Sequence, residues 1–502
     1  MIVDLASDIR VWLAVAVASA AYLLRPSKAP FPVINEYPGD YFNKRALKEA
    51  QDNVRSLIEH GFARYPDKPF AIKVPYGYKI ILPASLANWV KSKRELDHVQ
   101  LVRDEYFAGL PGFESQTVLH HPDEYVKRMI TTKLGQNDST MPALNTALAA
   151  AIDDLWGPSQ DWHMLNWHAD TMGIIARAAS TVFVGPEKSS DPEWLSLVQD
   201  YVLSYFGAVG DLHKYPVWSR RIVNWFLPNA SRCRRLQVQA RVIIEDVLSK
   251  RRAAVNKAQV EGKQPPVYND ALEWGQKDPE CKHHPADMQL ALAMAAMFTT
   301  SEMFRQILID VARHPELVQP LRDEVKQKLS THGVTVAATS NMVLLDSVMK
   351  ESQRLSAPPA VVERAVLKDT ALPDGRVLPH GSHLLVDATH LGSKDVYPDP
   401  EEFDGYRFLH KREAGDKSSS FVQSSPDFLV FGAGRHICPG RFFAANELKL
   451  ALAHILLKYD IRHAEGSGDG KPWSSGFFAV VNPLVKVEVK RRADDGAAEF
   501  LA

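Results

Sequence analysis

The sequence predicts a mainly α-helical protein with small β-sheets, built as one large domain behind an N-terminal membrane anchor. Much of residues 140–330 has the apolar spacing of amphipathic helices. A long and almost wholly apolar helix is predicted over residues 285–315. The last third of the chain contains short strand-like runs instead. The domain that these observations describe covers residues 39–502.

The anchor is predicted from the stretch VWLAVAVASAAYLL, residues 11–24, which is apolar throughout. As a helix it spans about 21 Å, which is less than the ~30 Å hydrocarbon core of a bilayer. Residues 1–9 lengthen the span if the Arg10 side chain reaches back to the interface. We therefore predict a single-pass anchor over residues 1–25, followed by a stiff, proline-bearing hinge over residues 26–38.

The charges around this segment decide its orientation. Arg25 and Lys28 follow the apolar stretch and favour a cytosolic body by the positive-inside rule. A secreted enzyme with a cleaved leader is the alternative, with residues 18–20 as a possible cleavage site. Asp4 and Asp8 do not suit the basic start of such a leader. The anchor is therefore the favoured interpretation.

Composition excludes several classes of function. The chain has 502 residues, of which 45% are hydrophobic and 24% charged, with a net charge of -1. This is a globular composition without the overall basic field of a nucleic-acid-binding protein, and no nucleic-acid partner is expected. Cys233, Cys281 and Cys438 are odd in number and far apart, so they predict neither a disulfide framework nor a Cys-x-x-Cys zinc site. A reducing compartment suits such a chain.

Individual elements can be predicted along the chain. A hairpin is expected over residues 71–82, around Tyr76 and Gly77, and residues 257–285 are expected to form a loop. Pro285 and His314-Pro315 suit the two ends of the long helix. Further helices and strands are predicted at residues 143–156, 235–255, 340–356, 361–367, 376–379, 382–389 and 441–460.

One cysteine lies in an unusual loop, FGAGRHICPGRFF, residues 431–443. A lone cysteine is most often a small buried apolar residue. Here a helix begins directly after Cys438, and its unpaired N–H groups and partial positive charge favour a thiolate. Gly432 and Gly434 permit a tight turn and the close approach of a flat ligand, and Phe431 can shield the sulfur from water. We therefore predict that Cys438 is a thiolate ligand to an iron.

Phe431, Gly434, Cys438 and Gly440 match the pattern Phe-x-x-Gly-x-Arg-x-Cys-x-Gly. The stretch resembles the haem-binding signature of the cytochrome P-450 family. His436 occupies the position of the family arginine. The resemblance implies the family fold, with a long central helix over a haem b (iron protoporphyrin IX). It also implies that Cys438 is the axial ligand of the iron and that the other four residues contact the cofactor.

Two upstream segments add to the resemblance. Glu351 and Arg354 in KESQRL share one helix face, although such pairs are common on surface helices. Residues 398–408, PDPEEFDGYRF, are similar to the family's Pro-Glu-Arg-Phe segment, with Arg407 at the arginine position. The resemblance implies that one glutamate between two arginines locks the cysteine loop to the helical core. It extends over essentially residues 30–490.

The haem propionates need basic partners. Arg364 occupies a family position that reaches a propionate, although an ordinary strand arginine is the alternative. The family's other partner, a Trp-x-x-x-Arg on an early helix, is missing from residues 120–135. His121, Lys127 and Arg128 are the candidates in that segment. Which side chain serves the second propionate stays open.

On the long helix, Thr299 falls on the threonine that the family uses to order a proton-supplying water. A threonine merely filling helix space is the alternative. Phe298 replaces the family's usual acid and cannot relay protons. Relatives from fungi vary at this position. The replacement leaves open whether proton delivery is slower, moves to water or a substrate hydroxyl, or marks a different chemistry.

The resemblance implies a haem-thiolate monooxygenase that oxidises a lipophilic small molecule with O2. Electrons would come from NADPH through NADPH-cytochrome P-450 reductase, with cytochrome b5 as an optional second donor. The enzyme would lie at the endoplasmic reticulum membrane with its catalytic domain in the cytosol. TVFVGPE (181–187) and the cysteine region look most like filamentous-fungal enzymes of secondary metabolism, including relatives of gibberellin-pathway oxidases. A terpenoid or another natural product is implied as substrate.

A reductase-facing patch is expected around Arg441 and Lys449, with Lys127 and Lys133 adding charge. Two other functions stay open: a haem-thiolate enzyme that rearranges, desaturates or couples its substrate without net oxygen insertion, and a haem-binding protein without turnover. Only Phe298 supports the last of these. Substrate contacts are expected from residues 100–118, 200–225, Met294, Met297, Ala357–Val362 and Gly476–Val480.

Overall fold

The computed structural model describes residues 29, 31–135, 137–493 and 497–501. The predicted anchor over residues 1–25 lies outside them. In the part of the chain that is described, no helix combines the length and apolar composition that a membrane crossing needs. The later part of the predicted hinge is described and packs on the first strand, where Ile34 N donates to the carbonyl of Ala71 at 3.0 Å.

Helices make up most of the structure, and those predicted between residues 140 and 460 are present. In chain order the α-helices of the described residues are α1 (Lys44–Asp52), α2 (Val54–Arg64), α3 (Ala87–Ser92), α4 (His98–Glu105), α5 (Glu114–Leu119), α6 (Tyr125–Met129), α7 (Met141–Trp156), α8 (Trp167–Phe183), α9 (Pro186–Ser189), α10 (Pro192–His213), α11 (Arg220–Val223), α12 (Pro228–Val260), α13 (Ala271–Lys277), α14 (Pro285–Arg313), α15 (Val318–His332), α16 (Val336–Asn341), α17 (Val343–Leu355), α18 (Arg407–Glu413) and α19 (Arg441–Lys458).

The strands form small sheets, as predicted. They are β1 (Phe70–Val74), β2 (Gly77–Leu82), β3 (Leu96–Asp97), β4 (His163–Met164), β5 (Ala360–Val366), β6 (Thr370–Ala371), β7 (Val377–Leu378), β8 (His383–Asp387), β9 (Tyr459–His463), β10 (Trp473–Ser475), β11 (Phe478–Val480) and β12 (Val487–Arg491). The largest sheet has the order β1-β2-β8-β5-β3. Its β1–β2 hairpin pairs Val74 with Gly77, which confirms the predicted turn.

The long helix α14 is the centre of the molecule. It begins at Pro285, where the His284 ring accepts the amide of Ala286 at 3.2 Å, and it ends before Pro315 as expected. Its C-terminal half packs in the largest apolar core, with α7, α8, α17 and α19. Its N-terminal half packs with α10 and α12 in a second apolar core. A helix shared by two cores explains why its sequence is apolar nearly all round.

The expectation of a loop over residues 257–285 was wrong in part. Helix α12 continues to Val260, and α13 forms inside the predicted loop. Asp270 caps α13 by accepting the amide of Glu273 at 2.9 Å. Buried Arg251 holds the same carboxylate at 2.8 Å. The short helix therefore depends on a partner distant in sequence, which local periodicity does not report.

A buried acid at the contact of α14 and α17 makes the stability of the fold depend on pH. Asp310 is 6% exposed and accepts a hydrogen bond from Gln306 at 3.1 Å. Burial raises its pKa to about 7. Between about pH 4 and 7 the folded state therefore keeps a proton that the unfolded state has lost. The free energy of unfolding should fall with rising pH across this window.

Replacing Asp310 with asparagine tests this account. The parent chain should lose stability between pH 5 and pH 8, and D310N should not. The free energy of unfolding of D310N minus that of the parent should therefore rise over this range, by on the order of a few kcal/mol. Urea unfolding at the two pH values measures it. A stability difference between D310N and the parent that is the same at both pH values would contradict it.

Candidate active site

The cysteine loop folds tightly against the start of α19. Residues 434–436 form a 3-10 turn, and the amide of Cys438 donates to the carbonyl of Phe431 at 2.8 Å. Gly434 has φ +64°, and a Cβ there would lie 2.9 Å from Cγ and 3.2 Å from the carbonyl oxygen of Lys91. Its backbone conformation and its approach to α3 both favour glycine.

The sulfur of Cys438 faces the N-terminus of α19. Burial raises the pKa of the thiol, while the amides of Gly440 and Arg441 and the charge of Arg441 act in the opposite direction. The Arg441 guanidinium also donates to the Cys438 carbonyl at 2.8 Å. The position therefore offers a buried thiolate the fixed dipoles that it needs.

Two other residues of the signature line this loop. The Phe431 ring packs edge-on against Phe421, with ring centroids 5.3 Å apart. Gly440 has an ordinary negative φ of -85°. The nearest atom to an added Cβ there would be Ile130 Cγ2, at 3.9 Å. The surrounding protein therefore does not itself require glycine at Gly440, which fits a site where a flat group lies against the backbone.

Glu351, Arg354 and Arg407 come together as the sequence predicts. The Arg354 guanidinium donates to both oxygens of Glu351, at 2.8 and 2.7 Å, and Arg407 Nε donates to Oε1 at 3.0 Å. The side chains of Glu351 and Arg354 are fully buried. Arg354 further donates to the carbonyls of Leu391 and Pro400. The network joins α17 to the segment that leads to the cysteine loop.

The same helix carries a second buried network that sequence reasoning missed. Lys350 is 1% exposed and donates to three carbonyls at 2.8 to 3.1 Å, those of Ser418, Ser420 and Gln423. Asp346 accepts the amide of Phe421 at 2.8 Å and pairs with Lys449 at 2.6 Å. Both contacts fix the chain just before the cysteine loop.

The Asp346 pair corrects one prediction. Lys449 is 3% exposed, so it does not belong to a surface patch for a redox partner. It is buried because Asp346 and the carbonyl of Thr339 accept its three-donor ammonium group. Lys133 is exposed and Lys127 partly so. With Arg441, these two remain candidates for that patch.

Arg364 is buried beside the cysteine loop. It is 4% exposed and donates to the carbonyls of Glu363 and Ala433. No described carboxylate lies within ion-pair distance of it, and burial lowers its pKa to about 10. The strand is irregular here: its register with β8 shifts between Val361 and Arg364, and Val362 has φ +59°. Such a bulge redirects a side chain, and it leaves a buried cation available for an acidic group.

Three imidazoles lie beside this guanidinium. The centroid of the His98 ring is 5.4 Å from that of His120 and 5.9 Å from that of His436. Burial lowers the pKa of His98 to about 3 and that of His120 to about 4. The nearest carboxylate, Asp97, pairs with Arg435 at 2.7 Å and with His436 Nε2 at 3.5 Å. The cluster offers several nitrogen donors to negative groups such as propionates.

The structure places two of the three sequence-based candidates for the second propionate partner in ion pairs elsewhere. His121 pairs with Asp123 at 3.1 Å, and Arg128 with Glu280 at 3.0 Å. Neither contacts the cluster. Lys127 does touch the cysteine loop, donating to the carbonyl of Arg435 at 2.8 Å. His98 and His120 were missed because their proximity to His436 arises only from the packing of α4 and α5.

Thr299 lies on a solvent-exposed stretch in the middle of α14. Its hydroxyl donates to the carbonyl of Ala295 at 3.0 Å, and both residues are exposed. Met294, Met297 and Thr300 beside them are buried. Ala295 and Thr299 are one turn apart and therefore share a face. The helix is thus exposed on this face, at the position predicted for oxygen chemistry.

The expected substrate contacts are only partly in reach of that face. Met294 and Met297 are buried in the second apolar core, where Met294 Sδ accepts from Gln116 at 2.9 Å. The ring of Phe298 lies 6.1 Å from that of Phe206 on α10. Phe478 on β11 is 52% exposed.

Comparison with known proteins identifies the family. The sequence profile described as cytochrome P-450 matches residues 189–490. The chain belongs to the cytochrome P-450 family. The resemblance inferred from the cysteine loop is confirmed, and so is the mainly helical fold with small sheets.

Several curated fungal relatives match almost end to end. The cytochrome P-450 monooxygenase hepE of Aspergillus oryzae is 35% identical over 96% of this chain and 89% of its own length. Cytochrome P-450 monooxygenase 1 of Gibberella fujikuroi is 36% identical over 86% of this chain and 99% of its own. The dihydro-ML-236C monooxygenase mlcC of Penicillium citrinum is 31% identical over 96% and 94%. The prediction of a haem-thiolate monooxygenase that acts on a small molecule is confirmed by these relatives.

Solved structures show the same fold. The haem domain of another cytochrome P-450 covers 93% of this chain and 98% of its own, with a TM-score of 0.67 and 16% identity. A cyanobacterial protein with bound retinoic acid covers 93% and 100%, with a TM-score of 0.65 and 17% identity. At these identities the likeness concerns the fold alone.

The family uses a haem iron and electrons from a redox partner, and the residues present fit a haem. The sulfur of Cys438 lies at the N-terminus of α19. Arg364 is a buried guanidinium without a carboxylate among the described residues. Thr299 faces open space on the long helix. These features supply an iron ligand, a propionate partner and a reaction side.

The network around Glu351 should decide whether the cysteine loop forms. We expect E351Q to lose about 3–5 kcal/mol of stability, because the substitution leaves buried Arg354 and Arg407 without their shared negative charge. The haem content of the purified chain should fall with it. Thermal unfolding and pyridine haemochrome absorbance measure the two effects.

The matched control is D200N, which breaks the exposed pair between Asp200 and Arg232. It should leave both the melting temperature and the haem content unchanged. An E351Q protein as stable and as haem-rich as D200N would show that the network does not hold the loop.

Proposed function

We propose that this chain is a membrane-bound monooxygenase that inserts one oxygen atom from O2 into a lipophilic small molecule, a terpenoid or another fungal secondary metabolite. Electrons come from NADPH through NADPH-cytochrome P-450 reductase, with cytochrome b5 as an optional donor. The observation that carries the proposal is the Cys438 sulfur, which lies half-buried at the N-terminus of α19. The fungal monooxygenases that match along most of their length support the reaction, and one of them, the dihydro-ML-236C monooxygenase, is named for a small-molecule substrate.

In this proposal haem, when bound, supplies the oxygen-activating chemistry, and the protein supplies position and protons. Cys438 binds the iron through its thiolate, and α19 stabilises that charge. Arg364 and the histidine cluster hold the acidic edge of the cofactor.

Thr299 would position the water that supplies protons. Its hydroxyl proton is directed to the carbonyl of Ala295, so the oxygen lone pairs face the open side and can accept from a water. Phe298, at the usual position of the acid, packs toward Phe206 and offers no proton. We therefore infer that water at Thr299 replaces the side-chain relay.

A second candidate function rests on Phe298. The loss of the usual acid at this position is compatible with a chemistry other than simple oxygen insertion, such as desaturation, rearrangement or coupling of the substrate. Phe298 and the 40% exposed Phe206 give the site aromatic surface, which suits an apolar substrate under either function. A haem-binding protein without turnover is the remaining alternative, also resting on Phe298.

Reconstitution of the full chain with reductase, NADPH and 18O2 tests these functions, with the metabolite that accumulates on gene deletion as substrate. The main proposal predicts a product carrying one 18O atom. A product with two hydrogens fewer, or an isomer without label, supports the second candidate. NADPH consumption that substrate does not raise would contradict both.

The role of Thr299 is tested in the same assay. We expect T299A to yield at least about tenfold less product per NADPH consumed, because it releases the water that Thr299 holds as the proton source, and a positioned proton source contributes about 10²–10⁴ in rate. T300S, which changes the buried neighbouring threonine, should keep the parent ratio. Equal product per NADPH in T299A and T300S would remove Thr299 from the proton path.

Membrane attachment is part of the proposal, with an anchor over residues 1–25, the endoplasmic reticulum as location and the catalytic domain in the cytosol. A described surface supports it. Residues 217–226, here called the aromatic patch, expose Trp218 by 75%, Trp225 by 56% and Phe226 by 79%, next to Arg220 and Arg221. Tryptophan with basic neighbours is typical of segments that lie in the bilayer interface.

Fluorescence tests the aromatic patch in the full chain. Bromine on the acyl chains of a vesicle quenches tryptophans that enter the membrane interface. We therefore expect bromine-labelled vesicles to quench a smaller fraction of the tryptophan emission in W218F/W225F than in the parent. W473F, which removes a 46% exposed tryptophan on β10, should leave the quenched part intact. Equal quenching in the parent and in W218F/W225F would place the patch away from the lipid.

A further inference from the structure

Two segments far apart in the sequence meet at a cluster of metal-binding side chains. They are HHPDE, residues 120–124, and DPECKHHP, residues 278–285. Ligand atoms of His121, Asp123 and His283 all lie within 4.8 Å of one another. Asp123 Oδ1 is 3.1 Å from His121 Nδ1 and 3.3 Å from His283 Nε2.

We propose that His121, Asp123 and His283 bind a divalent transition-metal ion of the zinc class. Two imidazoles and one carboxylate are a common donor set for Zn²⁺, with water in the remaining position. Donor atoms about 2.0–2.2 Å from a tetrahedral zinc lie about 3.3–3.5 Å from each other. The two distances around Asp123 Oδ1 are close to that spacing.

The surroundings of the carboxylate favour a metal over a simple charge pair. Asp123 Oδ1 is held by the amide of Tyr125 at 2.9 Å. No lysine or arginine among the described residues pairs with this carboxylate. Arg128 donates to the backbone carbonyl of Asp123 instead, and its ion pair is with Glu280. The amide of Tyr125 therefore orients the Asp123 carboxylate, while the negative charge of that carboxylate stays available to an ion.

The histidines are also arranged as ligands. The amide of Asp123 lies 3.3 Å from His121 Nδ1, and an ion at this nitrogen would take the lone pair that now accepts this long hydrogen bond. His283 is 8% exposed, so its ring is held by the protein, whereas His121 is 44% exposed and gives an ion access from solvent. The two rings lie edge to face at 4.9 Å.

An ion at this place would tether the start of α6 to the segment that leads into α14. Helix α6 also carries Lys127, which donates to the carbonyl of Arg435 in the cysteine loop. The metal would therefore stabilise the folded chain in proportion to its occupancy. This inference stands on its own geometry and does not depend on the reaction proposed above.

Zinc titration of the full-length, haem-loaded chain tests the site after treatment with a chelator. We expect one Zn²⁺ per chain by calorimetry, with a rise in melting temperature. Affinity should fall at least about tenfold in H121Q and in H283Q, since each loses one ligand. H60Q, which changes an exposed histidine on α2, should bind zinc like the parent.

H121Q is the decisive variant, because its ring is largely exposed and the fold should tolerate the change. Zinc bound equally by the parent and by H121Q would overturn the proposal. A parent that binds no zinc would also overturn it, leaving two ordinary histidine–aspartate pairs. Zinc binding without a rise in melting temperature would keep the site and remove the tethering role.

Discussion

The rest of this structure depends on the placement of the Cys438 sulfur at the N-terminus of a helix, where a thiolate can be stabilised. A buried charge is costly unless dipoles and a counter-charge compensate it. Here the amides of Gly440 and Arg441 face the sulfur of Cys438, and a metal would supply the remaining positive charge. The loop must then hold its shape closely, which explains the left-handed glycine at Gly434 and its contact with α3.

The cysteine loop holds its shape because helix α17 carries buried charged side chains, and each of them is paired with an oppositely charged side chain or with backbone carbonyls. Glu351 joins Arg354 and Arg407, while Asp346 joins Lys449. Buried ion pairs add little stability compared with apolar contacts, but an unpaired member costs several kcal/mol (about 3–5). Alternative positions of the loop are therefore penalised. The helical core thus fixes the position of the sulfur through charge pairing as well as through apolar packing.

The sequence predicted the elements with strong local signals. The ends of α14 follow from Pro285 and Pro315, and the β1–β2 turn from Tyr76 and Gly77. The Glu351 network was also predicted, because a family resemblance supplied the long-range pairing. Contacts without such a guide were missed: Lys449 was expected on the surface, and His98 and His120 were not considered beside Arg364. Their placement depends on partners 103 to 266 residues away in the chain, which periodicity and residue type do not encode.

Absorbance of the reduced, haem-loaded full chain under carbon monoxide tests the central claim most directly. A thiolate ligand from Cys438 predicts the strongly red-shifted Soret band that this ligation produces, and C438S should retain the fold while losing that band. A parent chain that is folded and loaded with haem but lacks the shifted band would contradict the account. So would a C438S chain that keeps it.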